Sequence, residues 1–353
     1  MTNMMNNQLK VFYLESDGDI ALYKKYLKQI DVHNPFLRFE LLQVDDINAG
    51  KLYYFLYCIE NVPSILMTFI LRPVQNTQYF DVTSPYGYNG PAFKDALPSH
   101  EIENFWKEVD EWYRKNNVIS EFIRFGLNDN YRNYSGTVIH TLNNVRGNII
   151  DKESQWENFK SKVRNNYRKA SKNNLEFRMY HTNIDDDILD QFHYIYTSTM
   201  KRNGASNQYY YPKSYFFQYV ANNPKRCAIA MVFHEGKAIS TELVLLDKKI
   251  VYSFLGGTIS EFFSLRPNDF LKIKVMDWAR EHKYESYVLG GGRKDGDSLY
   301  SYKKSFFSND EDIVYHTGRK VLEPNVYRKL AKINEETAII NEGFFPAYRS
   351  DED

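Results

Sequence analysis

Cysteine is almost missing: Cys58 and Cys227 are the whole supply in 353 residues. They form no C-x-x-C, so no disulfide framework and no cysteine-based zinc site is expected. No apolar run approaches the roughly 18 residues of a membrane span. The N-terminal MTNMMNNQLK has no apolar segment of the signal-peptide kind, and a cytoplasmic protein is the expectation. Neither sign of charge is in excess, with 45 Lys+Arg against 45 Asp+Glu. Residues 1–150 carry 14 against 17, a net −3, and residues 151–353 carry 31 against 28, a net +3. A dedicated nucleic-acid-binding protein shows a strong basic excess instead, and no DNA partner is expected. Common catalytic signatures are missing as well. There is no G-x-x-x-x-G-K-[ST], no G-x-S-x-G and no H-E-x-x-H. The eight histidines are scattered without a pair at metal spacing, so no metal is expected.

What is present is ordinary globular material, 43% hydrophobic and 25% charged, in a length that suits two domains. Residues 11–14 read as a strand, 19–30 as an amphipathic helix and 37–44 as a strand. Residues 52–59 and 64–71 are apolar, aromatic runs separated by Glu60-Asn61-Val62-Pro63, which is hairpin grammar. A loop rich in Gly and Pro, Ser84-Pro85-Tyr86-Gly87-Tyr88-Asn89-Gly90-Pro91, follows. A helix over 99–116 has Ser99 as N-cap and Ile102, Phe105, Trp106, Val109 and Tyr113 on one side. Strands at 119–125 and 137–142 come next.

Ser154 to Glu157 fits a capping box and opens a basic helix carrying Lys160, Lys162, Arg164, Arg168, Lys169 and Lys172. Such a run is a solvated face or a surface for a phosphate-rich ligand. A helix over 187–202 is closed by Gly204. Strands at 226–233, 238–246 and 249–255 lead to Gly256-Gly257. A helix with Asn268 as its N-cap carries Leu271, Val275 and Trp278 on one face. A short strand then breaks at Gly290-Gly291-Gly292, and Asp297 or Ser298 caps a segment bearing Lys303 and Lys304. Residues 326–340 read as a final short helix with a loose tail. Both halves thus share one order: antiparallel strands, Gly-bearing loop, helix, strand.

This inventory suits a reaction that needs positioning more than a dedicated nucleophile, such as transfer of an activated acyl group to an amine. Gly256 and Gly257 offer backbone groups to an acyl carbonyl. The helix beginning at Asn268 points its N-terminus at a pyrophosphate. Arg266, Arg293 and Lys303 are cations for phosphate or oxyanion.

Several of these motifs resemble the FemAB-like branch of the GNAT acyltransferase superfamily, also described as BioF2-like acetyltransferase domains. They are Arg164-Asn165-Asn166-Tyr167-Arg168-Lys169-Ala170, then Tyr196 to Ala205 (YTSTMKRNGA), then Leu289-Gly290-Gly291-Gly292 and Tyr302-Lys303. The loop from Ser84 to Tyr88 is also similar. The resemblance runs from about residue 142 to 321 and implies an α/β (α+β) fold of two tandem GNAT-like domains. Each would be a mixed, mostly antiparallel sheet flanked by helices, with a cleft between them. The expected divisions are 1–150 (acceptor side), 151–325 (acyltransferase domain) and 326–353 (helix and tail).

The implied activity is transfer of an acyl or aminoacyl group to an amino group of a cell-envelope sugar or peptide precursor. The alternative is a non-catalytic GNAT-like module that binds a sugar nucleotide or glycan. Lys303 and Asp81 are the expected catalytic residues, with Asp81 as candidate base and a solvent-relayed or substrate-assisted proton loss beside it. Gly256, Gly257, Arg266, Asn268 and Arg293 are expected at the donor, and Tyr86, Tyr88 and Arg202 at the acceptor. Acyl-CoA is the favoured donor and aminoacyl-tRNA the second. Two departures bear on this choice. Leu265-Arg266-Pro267-Asn268-Asp269-Phe270 stands where ordinary GNAT enzymes carry Q/R-x-x-G-x-G/A. The chain also lacks the long coiled-coil arm of some tRNA-dependent members.

Overall fold

The computed structural model describes residues 7–45, 50–94, 97–182, 184–223, 226–333 and 343–350. In chain order the first elements are β1 (Gln8–Tyr13), α1 (Asp17–Ile30), α2 (Phe39–Asp45), β2 (Lys51–Ile59), β3 (Val62–Pro73), β4 (Phe80–Thr83), β5 (Ala92–Phe93), α3 (Ser99–Lys115), β6 (Val118–Arg124) and β7 (Thr137–Asn148). Next come α4 (Lys152–Asn158), α5 (Ser161–Ala170), β8 (Glu176–Tyr180), α6 (Asp186–Arg202), α7 (Lys213–Asn222), β9 (Cys227–His234), β10 (Lys237–Leu246) and β11 (Ile250–Thr258). Last are α8 (Pro267–Glu281), β12 (Ser286–Gly290), α9 (Ser298–Lys304), β13 (Ile313–Val321) and α10 (Pro324–Ala331). The chain divides into two compact units. One is Met1–Thr141 with Tyr315–Asp353, and the other is Leu142–Val314. The divisions at 150 and 325 move because β7 and the C-terminal segment are placed by strand pairing and burial.

In the first unit the strands lie in the order β1-β2-β3-β4-β6-β13, with β5 on β3. β2 and β3 form the expected hairpin. Its turn is Glu60-Asn61, both at positive φ (50° and 66°), the two-residue connection whose twist matches paired strands. Pro63 is tolerated inside β3 because the register slips beside its partner, between Tyr57 and Cys58. β4 and β6 are parallel and joined through α3. The face of α3 read from its spacing is the one buried: Ile102, Phe105, Trp106, Val109 and Tyr113 pack with Phe55, Phe69 and Val82. Its cap residue is Pro98 rather than Ser99, and no side chain caps it.

Residues 37–44, expected as a strand, fold as a one-turn 3-10 segment and α2. Short apolar runs do not separate strand from buried helix by periodicity. Here Phe39 and Leu42, three residues apart, both join the core with Tyr23, Ile30 and Tyr54. The final helix ends at Ala331, and Ile340 lies outside the described residues.

The expected loose tail is not loose at Arg349, which is 9% exposed. Its Nε meets Asp81 Oδ2 at 2.5 Å, and its Nη2 donates to the Pro73 carbonyl at 2.8 Å. Arg72 Nε takes Asp81 Oδ1 at 2.7 Å, and the Tyr348 hydroxyl donates to Oδ2 at 3.0 Å.

In the second unit the order is β7-β12-β11-β10-β9-β8. β8 to β11 are successively antiparallel, and α8 crosses over to β12, which lies parallel to β11. The same sequence of moves, four antiparallel strands, a helix and a parallel strand, builds each unit. β9 and β10 are buried almost throughout because α8 covers one face of the sheet and α6 the other. The single basic helix read from residue 154 onward is two helices. Asp151, not Ser154, caps α4 by accepting from the Ser154 amide at 2.9 Å. Phe159 is extended, and Arg164 folds back onto the carbonyls of Glu157 (3.0 Å) and Phe159, ending α4.

Asp81→Ala leaves two guanidinium groups without their shared carboxylate, a loss of about 3–5 kcal/mol. Urea unfolding of the full chain measures it. A change below about 1 kcal/mol contradicts the pairing.

Candidate functional site

β11 and β12 pair only from Ile250 to Tyr252, against Ser286 to Val288. Beyond Tyr252 the two parallel strands part, while β11 keeps its ladder with β10 as far as Thr258. The parting coincides with an extra residue. Leu243 faces Leu255 but Val244 faces Ser253, so Phe254 is a bulge that bends β11. Gly256 and Gly257 lie on this bent stretch. A Cβ on Gly257 would sit 2.2 Å from Thr199 Oγ1, and one on Gly256 would sit 2.5 Å from the Thr241 carbonyl. Their lack of side chains lets α6 and β10 approach the strand closely.

Beneath this stretch lies a buried charge cluster that the sequence reading did not include. Lys272 of α8 pairs with Glu242 of β10 at 2.8 Å, the two side chains 10% and 4% exposed. The Tyr287 hydroxyl is 2.8 Å from both oxygens of Glu242. Lys272 Nζ also donates to Ser253 Oγ at 3.0 Å. Such a pair is tolerated away from water only when further hydrogen bonds satisfy both ions, as these do. The Tyr287 hydroxyl is held well above its usual range, first by burial and then by the Glu242 charge.

Lys303 sits beside this cluster on α9. Its Nζ donates to the Gly291 carbonyl at 2.6 Å. Burial, and then the Lys272 cation, pull it down to about 8 against the opposing charges of Glu242 and Asp297. Asp297 caps α9 from the Tyr300 amide (2.8 Å) and also accepts from the Arg293 and Lys294 amides (2.8 and 3.2 Å). The glycines ahead of it have steric duties. Gly290 is at φ 75°, and a Cβ on Gly292 would fall 2.0 Å from Asp297 Oδ1. The turn therefore fixes where α9 starts and so where Lys303 points. Neighbouring Tyr302 accepts from Asn268 Nδ2 at 2.8 Å. Asp269, buried beside them, accepts from Asn166 Nδ2 at 3.1 Å and has its carboxyl raised by burial.

Lys303, Asn268, Gly256 and Gly257 all lie in the second unit, with Asn268 bonded to Tyr302 beside Lys303 and Gly256 packed on Glu242. Asn268 is not the N-cap of α8. Arg266, in the left-handed region at φ 61°, takes that position, and Pro267 fills the first turn. Arg266 and Arg293 are exposed. Arg202 is tied to the end of β11, donating to the Thr258 carbonyl at 2.8 Å and lying over the Phe263 ring. Asp81, Tyr86 and Tyr88 belong to the first unit. Asp81 is fully buried between Arg72 and Arg349, a structural ion pair without an exposed oxygen for a substrate proton. That corrects its expected role as base. Glu242 and Lys272 had a signal in the sequence: a carboxylate inside the apolar run of β10, and a lysine beside the apolar stripe of α8.

The antiparallel strands, the crossover helix and the parallel strand that parts from its neighbour make an α/β fold of the GNAT type. Residues 158–304 match the family model for the acetyltransferase (GNAT) domain, a span that includes Gly256, α8 and Lys303. The UDP-N-acetylmuramoylpentapeptide-lysine N(6)-alanyltransferase of Weissella viridescens is 25% identical over 212 residues, 57% of this chain and 61% of that protein. The match thus spans less than two thirds of that relative. The crystal structure of FemX superposes with a TM-score of 0.66 at 12% identity, over 91% of this chain and 99% of that one. The C-terminal domain of a putative lysylphosphatidylglycerol synthetase from Agrobacterium fabrum reaches 0.58 at 12%, over 93% and 98%. Residues 158–304 thus match a GNAT domain, the chain is similar to a FemAB-like protein as its motifs suggested, and its tandem α/β fold is the one that resemblance implied.

Lys272→Met strands Glu242 in the core and lowers stability by about 3–5 kcal/mol. Lys272→Met with Glu242→Met restores most of it. Urea unfolding of the two variants makes the comparison, and equal losses contradict the account of the pair.

Proposed function

We propose that this protein is an N-acyltransferase that moves an aminoacyl group from an activated ester to an amino group on a peptide or amino sugar of a cell-envelope precursor. The observation that carries this reading is Lys303, an ammonium held beside parted strands inside the span that matches a GNAT domain. The alanyl transfer in the relative's name supports the aminoacyl donor, as does the helix N-terminus at Arg266-Pro267, which has no glycine-rich pyrophosphate loop. Acyl-CoA, the donor expected from the sequence, is the second arm of the test. Cytoplasmic residence belongs to the same reading, since activated donors of both kinds are made there.

In this reading the acceptor amine attacks the donor carbonyl directly. The C–N bond forms, the bond to the leaving oxygen breaks, and the amine sheds a proton through water or the substrate. Lys303, as an ammonium, meets the oxygen on which negative charge develops. A fixed cation or donor of this kind contributes about 10²–10³ in rate. Glu242, Lys272 and Tyr287 hold the wall behind it. Backbone groups of the bent stretch of β11 orient the acyl carbonyl.

Transfer assays with charged tRNA and with acyl-CoA, on an amino-bearing muramyl peptide, distinguish the donors. Absence of any acylated product under both contradicts the enzyme reading and leaves a binding module. Lys303→Met is expected to lower kcat about 100-fold or more. In the wild type, activity falls as pH rises through about 8, where the ammonium is lost. Lys303→Arg moves that limb out of range, because a guanidinium does not deprotonate.

Stability responds in the opposite sense. The folded pKa lies below the unfolded value, so the unfolded state binds more protons between about 8 and 10.5. The wild type therefore gains stability with rising pH in that window, and the cost of the charge is fully present below it. Lys303→Met is expected to raise Tm at pH 7 while lowering turnover as stated above. A lower Tm contradicts this assignment.

A further inference from the structure

The C-terminal end of α8 carries a cluster of aromatic and histidine rings that the transfer reading does not use. Trp278, 8% exposed, belongs to the core of the second unit. The His282 ring stacks on it, with centroids 4.3 Å apart and planes at 26°. The Tyr284 ring stands at 5.6 Å and 24°. His181 directly follows β8, the edge strand of this sheet. Its ring meets Trp278 at 5.6 Å and His282 at 5.5 Å, and the two imidazole planes are 73° apart. The two histidines are remote in sequence, so no metal spacing could be read there. The packing of α8 against β8 brings them together.

His282 is fixed in tautomer as well as in plane. Its Nδ1 lies 2.8 Å from the Trp278 carbonyl, which can only accept, so Nδ1 carries the hydrogen. Nε2 is then left with its lone pair. An imidazole that donates from one nitrogen to a backbone carbonyl and offers a lone pair at the other is set up as histidine is when it ligates a metal. His181 is half-buried, and neither of its ring nitrogens takes part in a hydrogen bond of the described residues. Two imidazoles on one tetrahedral ion, each bonded at about 2.0–2.1 Å, set their centroids roughly 5 Å apart. The separation found here is 5.5 Å. The carbonyl end of a helix also favours positive charge. Among the described residues no third His, Cys, Asp or Glu completes the group, so the remaining coordination positions go to water.

We propose that His181 and His282 form a two-histidine site for a divalent transition-metal ion of the kind imidazole binds, such as zinc, copper or nickel. The ion ties β8, which pairs with β9 alone among the described strands, to the end of α8. This inference does not rest on the transfer reading. Asn268 lies at the start of α8 and His282 caps its end, so the 15-residue helix sets them roughly 22 Å apart. The ion's part is to fasten an edge of the sheet, away from the chemistry at Lys303.

Isothermal titration of the untagged full chain with zinc chloride at about pH 7.5, where imidazole is neutral, tests this. Saturable binding of one zinc ion is expected, and magnesium chloride, whose ion prefers oxygen ligands, should give none. His181→Gln and His282→Gln should each weaken zinc binding at least about tenfold. His282 is exposed, so its variant is expected to fold as the wild type does and to separate loss of a ligand from loss of the fold. Saturating zinc should raise the Tm of the wild type and of neither variant. His100→Gln, at an exposed position of the first unit, should bind zinc as the wild type does. Absence of saturable zinc binding overturns the proposal. So does unchanged affinity in either His181→Gln or His282→Gln. An equal loss in His100→Gln places the ion elsewhere and overturns it as well.

Discussion

The second unit depends on one buried charge pair. Lys272 reaches from α8 through the core to Glu242 at the middle of β10, and Tyr287 from β12 closes the carboxylate. Three elements that are distant in sequence are thus tied at one point. An ion pair in such a place is expensive, and apolar replacements of similar volume are commonly as stable. What it supplies here is an electric environment. Burial first, and then the Lys272 cation, act against charge on Lys303, while Glu242 moderates the effect. A lysine on the surface would be a fully hydrated ammonium. This one is partly stripped of water and held close to its ionisation point, with a backbone carbonyl as its hydrogen-bond partner.

The glycines contribute through shape rather than by cradling an anion. Gly292 admits Asp297, Asp297 starts α9, and α9 carries Lys303. Gly257 lets α6 lie close against β11, where the strand bends away from β12. A larger side chain at either place would move the lysine or the bent strand. The site is therefore a product of tight packing around it, and its few polar groups inherit their positions from that packing.

Much of this was legible in the sequence where local physics decides. The apolar stripe of α3, the Glu60-Asn61 hairpin and the Asp297 cap follow from spacing and turn chemistry alone. So does the order shared by the two units, and the motifs ending at Tyr302-Lys303 pointed to the GNAT domain that residues 158–304 match. The misses lie where partners are remote. Asp81 looked like an available carboxylate in a loop-flanking strand, but one of its partners, Arg349, is 268 residues away. The basic stretch after residue 154 looked like one helix because nothing local marks Phe159 as a break; Arg164 makes it by folding back. Asn268 is a better capping residue than Arg266, yet the helix starts at Pro267, two positions earlier than an Asn268 cap would set it. Glu242 and Lys272 were visible as oddities in apolar runs, and only the fold shows that they answer each other.

The central claim is that Lys303 is a desolvated amine poised by its surroundings. Site-resolved NMR titration of the lysine side chains, assigned with Lys303→Met, measures this directly. The account predicts one amine titrating near 8, apart from the surface lysines, and absent from that variant. If Lys303 titrates with the others near 10.5, the environment built by Lys272, Glu242 and burial does not act as described, and the role assigned to this lysine fails with it.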